Sequence, residues 1–269
     1  MNWLTEPWVY GFMQWALFCC LLLAGIHVYL GFHIVRRGVL FVDLAMAQAA
    51  ALGAAVAVVA GLEHDTLAEY LMSAGFALGS AAFFAVVKSR RVHQEAIVAT
   101  AYGLAVAATF VVLEHSPHGM DEIKHLFVGQ LLTVDPGHVL WTAMIYVAIG
   151  IAHAFVHRRT NDVTEGRGQG RWLDFFFYGT FAIVVTSSVG LVGVLLVFAF
   201  LVLPAVAALL LAGTTAGRLA WGWGIAIAAS VLGLHFAFHL DMPAAPMVVL
   251  TLGALLAIAA IFSRVRGHA

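Results

Sequence analysis

The sequence predicts an all-α, polytopic integral membrane protein of about eight or nine transmembrane helices, in a single domain over residues 1–269. Three observations carry this prediction. Of the 269 residues, 63% are hydrophobic and only 10% are charged, too few charges to coat a water-facing surface by the standard of soluble domains. A larger core does not absorb the excess, because a soluble domain of this length still needs a polar exterior. Apolar stretches of spanning length follow one another with short polar breaks between them, and the basic residues collect in alternate breaks. Soluble enzymes and disordered chains are excluded on composition, and a net charge of −1 offers no footprint for nucleic acid.

Taken in order, the expected spans are 9–35, 39–62, 67–87, 96–113, 139–157, 173–189, 191–212, 220–238 and 247–262. Most meet the roughly 20 residues needed to cross about 30 Å of hydrocarbon. The first is expected to remain as a helix and not as a cleaved leader, since the first eight residues hold Glu6 and no Lys or Arg. Only Ser187, Ser188 and the Gly190 region divide the sixth from the seventh, so eight passes plus a re-entrant piece fit nearly as well. Gly75-x3-Gly79 and the alanine run 49–55 mark close helix packing. The segment 114–138 is the longest external one, and its apolar piece 126–134 suits either the interface or a dip into the protein. The stretch 158–171, with Gly166, Gly168 and Gly170, reads as a flexible loop.

Nine crossings put Arg36, Arg37, Lys88, Arg90, Arg91, Arg158, Arg159, Arg167, Arg171, Arg218, Arg264 and Arg266 on one side, with Lys124 alone on the other. The basic side is cytoplasmic by the positive-inside rule, which places the N-terminus outside and the C-terminus inside. The opposite side carries Glu63, His64, Asp65, Glu69, Glu114, His115, His118, Asp121, Glu122, His125, Asp135, His138 and Asp241. Such an acidic, imidazole-rich exterior attracts divalent first-row cations, although outer loops are acidic anyway once basic residues are excluded.

The chain carries no bond-making motif. Its two lysines, Lys88 and Lys124, follow Val87 and Ile123, so no phosphate-binding Gly-Lys-Ser/Thr loop exists, and neither HExxH nor GxSxG occurs. Cys19 and Cys20 are adjacent and supply neither a disulfide framework nor a zinc motif. No enzyme activity and no cofactor of its own are expected.

Three polar groups remain. His235 and His239 share a helical face, with Asp241 just beyond, and suit either a borderline metal ion or a water-satisfied interfacial pair. His153 and His157 repeat the spacing beside Arg158 and Arg159, where cations oppose metal binding. Asp43, Met46 and Gln48 lie in the second span; polar groups there usually face a cavity or a partner, and Arg36 or Arg37 is a competing ion-pair partner for Asp43. His27, in the first span, suits a hydrogen bond to a neighbouring helix better than a metal.

Four segments together resemble the membrane permease subunit of bacterial zinc, manganese and iron uptake ABC transporters. They are RRGVLFVDLAMAQAAALG (36–53), LFVGQLLTV (126–134), GLVGVLLVFAFLVLPAVAALLLAG (190–213) and LDMPAAPMVVL (240–250). The resemblance implies a homodimeric pore in a bacterial inner membrane, a separate ATP-binding cassette subunit and an extracytoplasmic solute-binding protein. It also implies that residues 204–211 dock into the ATPase, with Pro204, Ala205, Ala208 and Leu211 carrying the coupling. The family often has a Ser-His pair in the second span with an Asp four residues before the His. Here Ala47 and Gln48 stand in the pair's place, and Asp43 lies five residues before Gln48, roughly 140° round a helix.

The expected function is therefore an ATP-driven importer's permease for a divalent metal, zinc first and manganese or iron next, with partner subunits hydrolysing ATP. Asp43, Met46 and Gln48 are candidates for the path, and His235, His239 and Asp241 for its outer mouth. The alternatives are a self-sufficient secondary carrier or channel, and an intramembrane metalloenzyme, which would need three or more ligands at one depth.

Overall fold

A computed structural model describes residues 3–37, 41–63, 66–87, 92–114, 119–165, 171–265 and 267. His64, Asp65, Lys88, Arg90, Arg91, His115, His118, Arg167 and Arg266 lie outside the described residues, as does the 166–170 part of the glycine-bearing loop.

The helices are α1 (Gly11–Arg37), α2 (Phe41–Val59), α3 (Leu67–Val86), α4 (Gln94–Leu113), α5 (Gly119–Val128), α6 (Pro136–Thr164), α7 (Arg171–Leu211), α8 (Thr215–Leu240) and α9 (Ala244–Val265). Eight of them, all but α5, are long and apolar enough to cross a membrane. Local chemistry sets the ends. The Thr66 hydroxyl accepts from the Glu69 N–H to start α3, and Thr214 accepts from Gly217 to start α8. Asp241 adopts the left-handed conformation that stops α8, its N–H returning to Ala237 O. The Arg218 guanidinium donates through Nε to Ala212 O just past the end of α7 (2.9 Å).

The sixth and seventh expected spans both lie in the 41-residue α7, as two helices joined across a kink, and the first runs unbroken past the serines. Ser187 and Ser188 do not interrupt it, because their hydroxyls donate to carbonyls three or four residues back, at Ile183 and Val184. The interruption is Gly193, at φ 76° and ψ 163°, a conformation that only glycine adopts without strain. A straight helix of this length would reach about 60 Å, twice the hydrocarbon thickness; the break divides it into two pieces, each close to spanning length.

The chain forms two compact units. One comprises residues 1–35, 130–143 and 195–269. In it a Cβ added at Gly31 would overlap Leu201 O, and one at Gly233 would sit 2.6 Å from Val248 Cα, so α1, the end of α7, α8 and α9 approach backbone to backbone. Trp223 Nε1 donates to Gly25 O (3.2 Å). The other comprises 36–129 and 144–194. There α2 packs on α3 and α4: a Cβ on Gly53 would lie 2.8 Å from Ser73 Cα, and Ser73 Oγ donates to Ala50 O (2.8 Å). Gly129, following α5, faces the α7 break; a Cβ on Gly193 would stand 2.5 Å from Gly129 N and 2.9 Å from Phe127 O.

Burial is uneven. In α1 and α2, 67% and 72% of the spanning window is buried within the protein, whereas in α4 and α9 the shares are 17% and 22%. The exposed faces are apolar, with Leu104, Val111, Leu250 and Ile261 outward, as lipid or a partner requires.

Candidate functional site

The α2 residues fall in one of the two most buried helices. Asp43, Met46 and Gln48 are all buried, despite the turn that separates Asp43 from Gln48, because α2 is covered on nearly every side. Gln48 Nε2 donates to Thr109 Oγ1 (3.3 Å), and that hydroxyl in turn donates to Ala105 O (2.9 Å). The bond fixes the amide with its carbonyl oxygen, Oε1, buried and, among the described residues, without a partner. Both carboxyl oxygens of Asp43 are buried and, among the described residues, also lack a hydrogen-bond partner. The competing ion pair does not form: among the described residues the salt bridge of Arg37 is to Asp174, at 2.9 Å.

Arg37 closes a site of another kind. Its Nε donates to Thr164 Oγ1 (3.3 Å), and its guanidinium carbon lies 4.3 Å from the centre of the Phe177 ring. Close by in the same unit, the His153 ring stacks 4.9 Å from Phe176 and its Nε2 bonds Thr180 Oγ1 (2.8 Å). The Thr180 hydroxyl already donates to Phe176 O and Phe177 O, so it accepts from His153. Tyr146 and Ser188 share a hydrogen bond between α6 and α7. His153 is thus a packing residue, and His27 Nδ1 bonds Leu23 O in its own helix (3.0 Å).

At the C-terminal end of α8, His235 and His239 do come together, with ring centres 4.5 Å apart. His235 is buried and half-buried His239 bonds through Nε2 to Trp3 O (3.0 Å). Asp241 is exposed two residues past His239, and no group of three or more His, Cys, Asp or Glu converges among the described residues. Trp3 and Thr109 were not singled out from the sequence. A threonine among the apolar residues of α4 is a weak signal for the second; for Trp3, 236 positions from His239, there is none.

Residues 204–211 form the last two turns of α7 and not a separate helix. Pro204, Ala205 and Ala208 are buried, and a Cβ on Gly222 of α8 would meet Pro204 O at 3.6 Å and Ala208 Cβ at 3.7 Å. Leu211, with Val206, Leu209 and Leu210, is the more accessible part.

A polytopic helical membrane protein, with unpartnered polar atoms inside one of its most buried helices, has the makings of a transport protein. The chain belongs to the ABC 3 transport family, whose model matches residues 9–263. It is 25% identical over 285 residues to a protein of Haemophilus influenzae described as a probable iron transport system membrane protein, with 98% of each chain covered. It is 24% identical to the manganese transport system membrane protein MntC of Listeria innocua, covering 96% of this chain and 93% of that one. Among solved structures it is similar to PsaBC from Streptococcus pneumoniae, solved in complex with a Fab, with TM-score 0.80 at 19% identity over 96% of this chain and 94% of that chain. The likeness shows a shared fold.

Proposed function

We propose that this chain, as a single permease domain over 1–269, is the membrane-spanning subunit of an ATP-driven importer for divalent metal ions. The observation that carries the reading is the set of buried, unpartnered oxygens on α2, Asp43 Oδ1 and Oδ2 and Gln48 Oε1, in a chain that matches a transport family along nearly its whole length. Unpaired buried polar atoms are costly in a membrane. A passing cation that borrows them as ligands gives the cost a purpose. Met46, buried one turn from Asp43, adds a soft thioether.

Oxygen donors without imidazole suit harder ions. The relatives named for iron and manganese agree with that chemistry. We therefore place manganese or iron ahead of zinc, which headed the expectations from sequence. The partners are an ATP-binding cassette subunit, an extracytoplasmic solute-binding protein and a second permease copy, in a bacterial inner membrane.

The N-terminus lies outside and the C-terminus in the cytoplasm, with the stretches of α7 before and after Gly193 counted as separate crossings. Only then do Arg218 and Arg264 join Arg36, Arg37, Arg158, Arg159 and Arg171 on the positive side. Closure of the ATPase pushes on the end of α7 through Val206, Leu209, Leu210 and Leu211, while Pro204, Ala205 and Ala208 transmit the push to α8. The passage then switches between outward- and inward-facing states as a bistable rigid-body change.

The test is reconstitution in liposomes with the ATPase and binding protein, scanning manganese, iron, zinc and cobalt. Uptake should require ATP and both partners. Uptake that persists without them sinks the proposal in favour of a self-sufficient carrier.

A further inference from the structure

The end of α8 carries an arrangement that the α2 path does not use. His235 and His239 stand one helical turn apart, as two imidazoles must to chelate one ion. His235 has a relative exposure of 5%, and its buried Nε2 has no hydrogen-bond partner among the described residues. Trp3 lies across both rings: its indole meets His235 edge-on at 4.2 Å and stacks on His239 at 4.9 Å. The Trp3 carbonyl holds His239 Nε2 at 3.0 Å. The segment is fastened at a second point, where Tyr10 packs 5.5 Å from Phe238. Yet Trp3 itself is 54% exposed, so it covers the histidines from the solvent or headgroup side and is not itself locked in the core.

We propose that His235 and His239 form a two-histidine site for an imidazole-preferring divalent ion such as Zn2+, and that Trp3 is its displaceable cover. In the covered state His239 carries its hydrogen on Nε2, since a carbonyl can only accept. For metal binding that proton moves to Nδ1, the bond to Trp3 O breaks, and the Nε2 lone pairs of both rings turn to the ion. Water completes the coordination. Imidazole nitrogens favour Zn2+ over Mn2+ by the usual order of first-row affinities. The site therefore differs in preference from the oxygen donors of α2: it holds back a competing ion near one end of the chain. The inference rests on the divalent-metal reading only for the class of ion.

The purified full-length chain in detergent, without ATP or partners, is titrated with ZnCl2 and separately with MnCl2, following tryptophan emission and heat. Zn2+ should change the emission as the indole leaves the imidazoles, and Trp3→Phe should abolish that change while preserving binding. His235→Gln and His239→Gln should each weaken Zn2+ binding by about 10- to 100-fold, a ligand being worth at least as much as an outer-shell partner. Trp3→Ala should tighten Zn2+ binding several-fold, because no cover has to be displaced. Mn2+ should bind at this site far more weakly than Zn2+.

Equal Zn2+ affinity in the parent and both glutamine variants overturns the site. An emission change that survives Trp3→Phe, or a Trp3→Ala chain that binds no tighter than the parent, overturns the cover. ATP-driven uptake in liposomes is scored independently. A failed titration with intact uptake refutes this inference alone, and zinc binding without any ATP-driven uptake refutes the permease reading alone.

Discussion

Arg37, at the end of α1, and Asp43, in the first turn of α2, stand six positions apart and are treated in opposite ways. Arg37 is surrounded by company from α6 and α7: a carboxylate, a hydroxyl and an aromatic face. Asp43 is the more deeply buried of the two, and among the described residues neither of its oxygens has a hydrogen-bond partner. Sequence proximity suggested that they neutralise each other. Arg37 ties helices together, whereas Asp43 takes part in no such tie among the described residues. Polar groups in a membrane are expensive in both cases, so the contrast marks which of them has a structural return.

The sharpest break of that contrast is Asp43→Asn. It should lower ATP-driven metal uptake roughly 100-fold at limiting ion, at the upper end of what an outer-shell ligand change costs, while the melting temperature in detergent stays level or rises. A large drop in melting temperature would assign Asp43 to structure instead. Arg37→Ala should show the reverse pattern. Loss of its charge-assisted bonds destabilises the protein by about 1.5–3 kcal/mol, read as an earlier thermal transition, with the ion preference of the surviving protein unchanged. An altered preference would place Arg37 on the path.

Gln48→His sharpens the same comparison chemically. It installs an imidazole in the same buried helix as Asp43, so competition assays should show uptake shifting toward zinc and away from manganese. An unchanged ratio would remove Gln48 from the path. The smallest effect is expected from Ser188→Ala, which deletes the partner of Tyr146. Interhelical hydrogen bonds in membranes contribute about 0.6 kcal/mol on average, so the loss should appear as a slight fall in melting temperature with uptake intact. A marked loss of uptake would make that pair more than packing.

Most of the architecture was legible because a bilayer imposes one constraint everywhere: long apolar runs bounded by polar breaks. Eight helices of sufficient length and apolarity follow that pattern. The division of α7 was legible to within a few residues, since Ser187, Ser188 and the Gly190 region precede the break at Gly193. Serine reads as a break in water, but in a helix its hydroxyl can be satisfied by the preceding turn, and the residue that ends the regular geometry is Gly193. The candidate path was legible in part. A lone aspartate or glutamine among alanines is conspicuous, whereas its neighbours are not: Thr109 is 61 positions from Gln48, and Asp174 is 137 from Arg37. Spacing along one helix reports which residues share a face, as with His235 and His239. It carries no information on what arrives from elsewhere in the chain, as Trp3 does.

The two glycines that face each other beyond α5 and within α7 have a consequence for how this protein can vary. Each has a backbone conformation closed to ordinary residues, with φ 70° at Gly129 and φ 76° at Gly193, and each occupies the space that a methyl group on the other would need. Relaxing one alone relieves neither constraint. Saturation mutagenesis should therefore find both positions confined to glycine, and a second substitution at the opposite position should fail to rescue the first. Amid long tracts of alanine, valine and leucine, these two residues mark a place where any side chain would collide with the facing backbone.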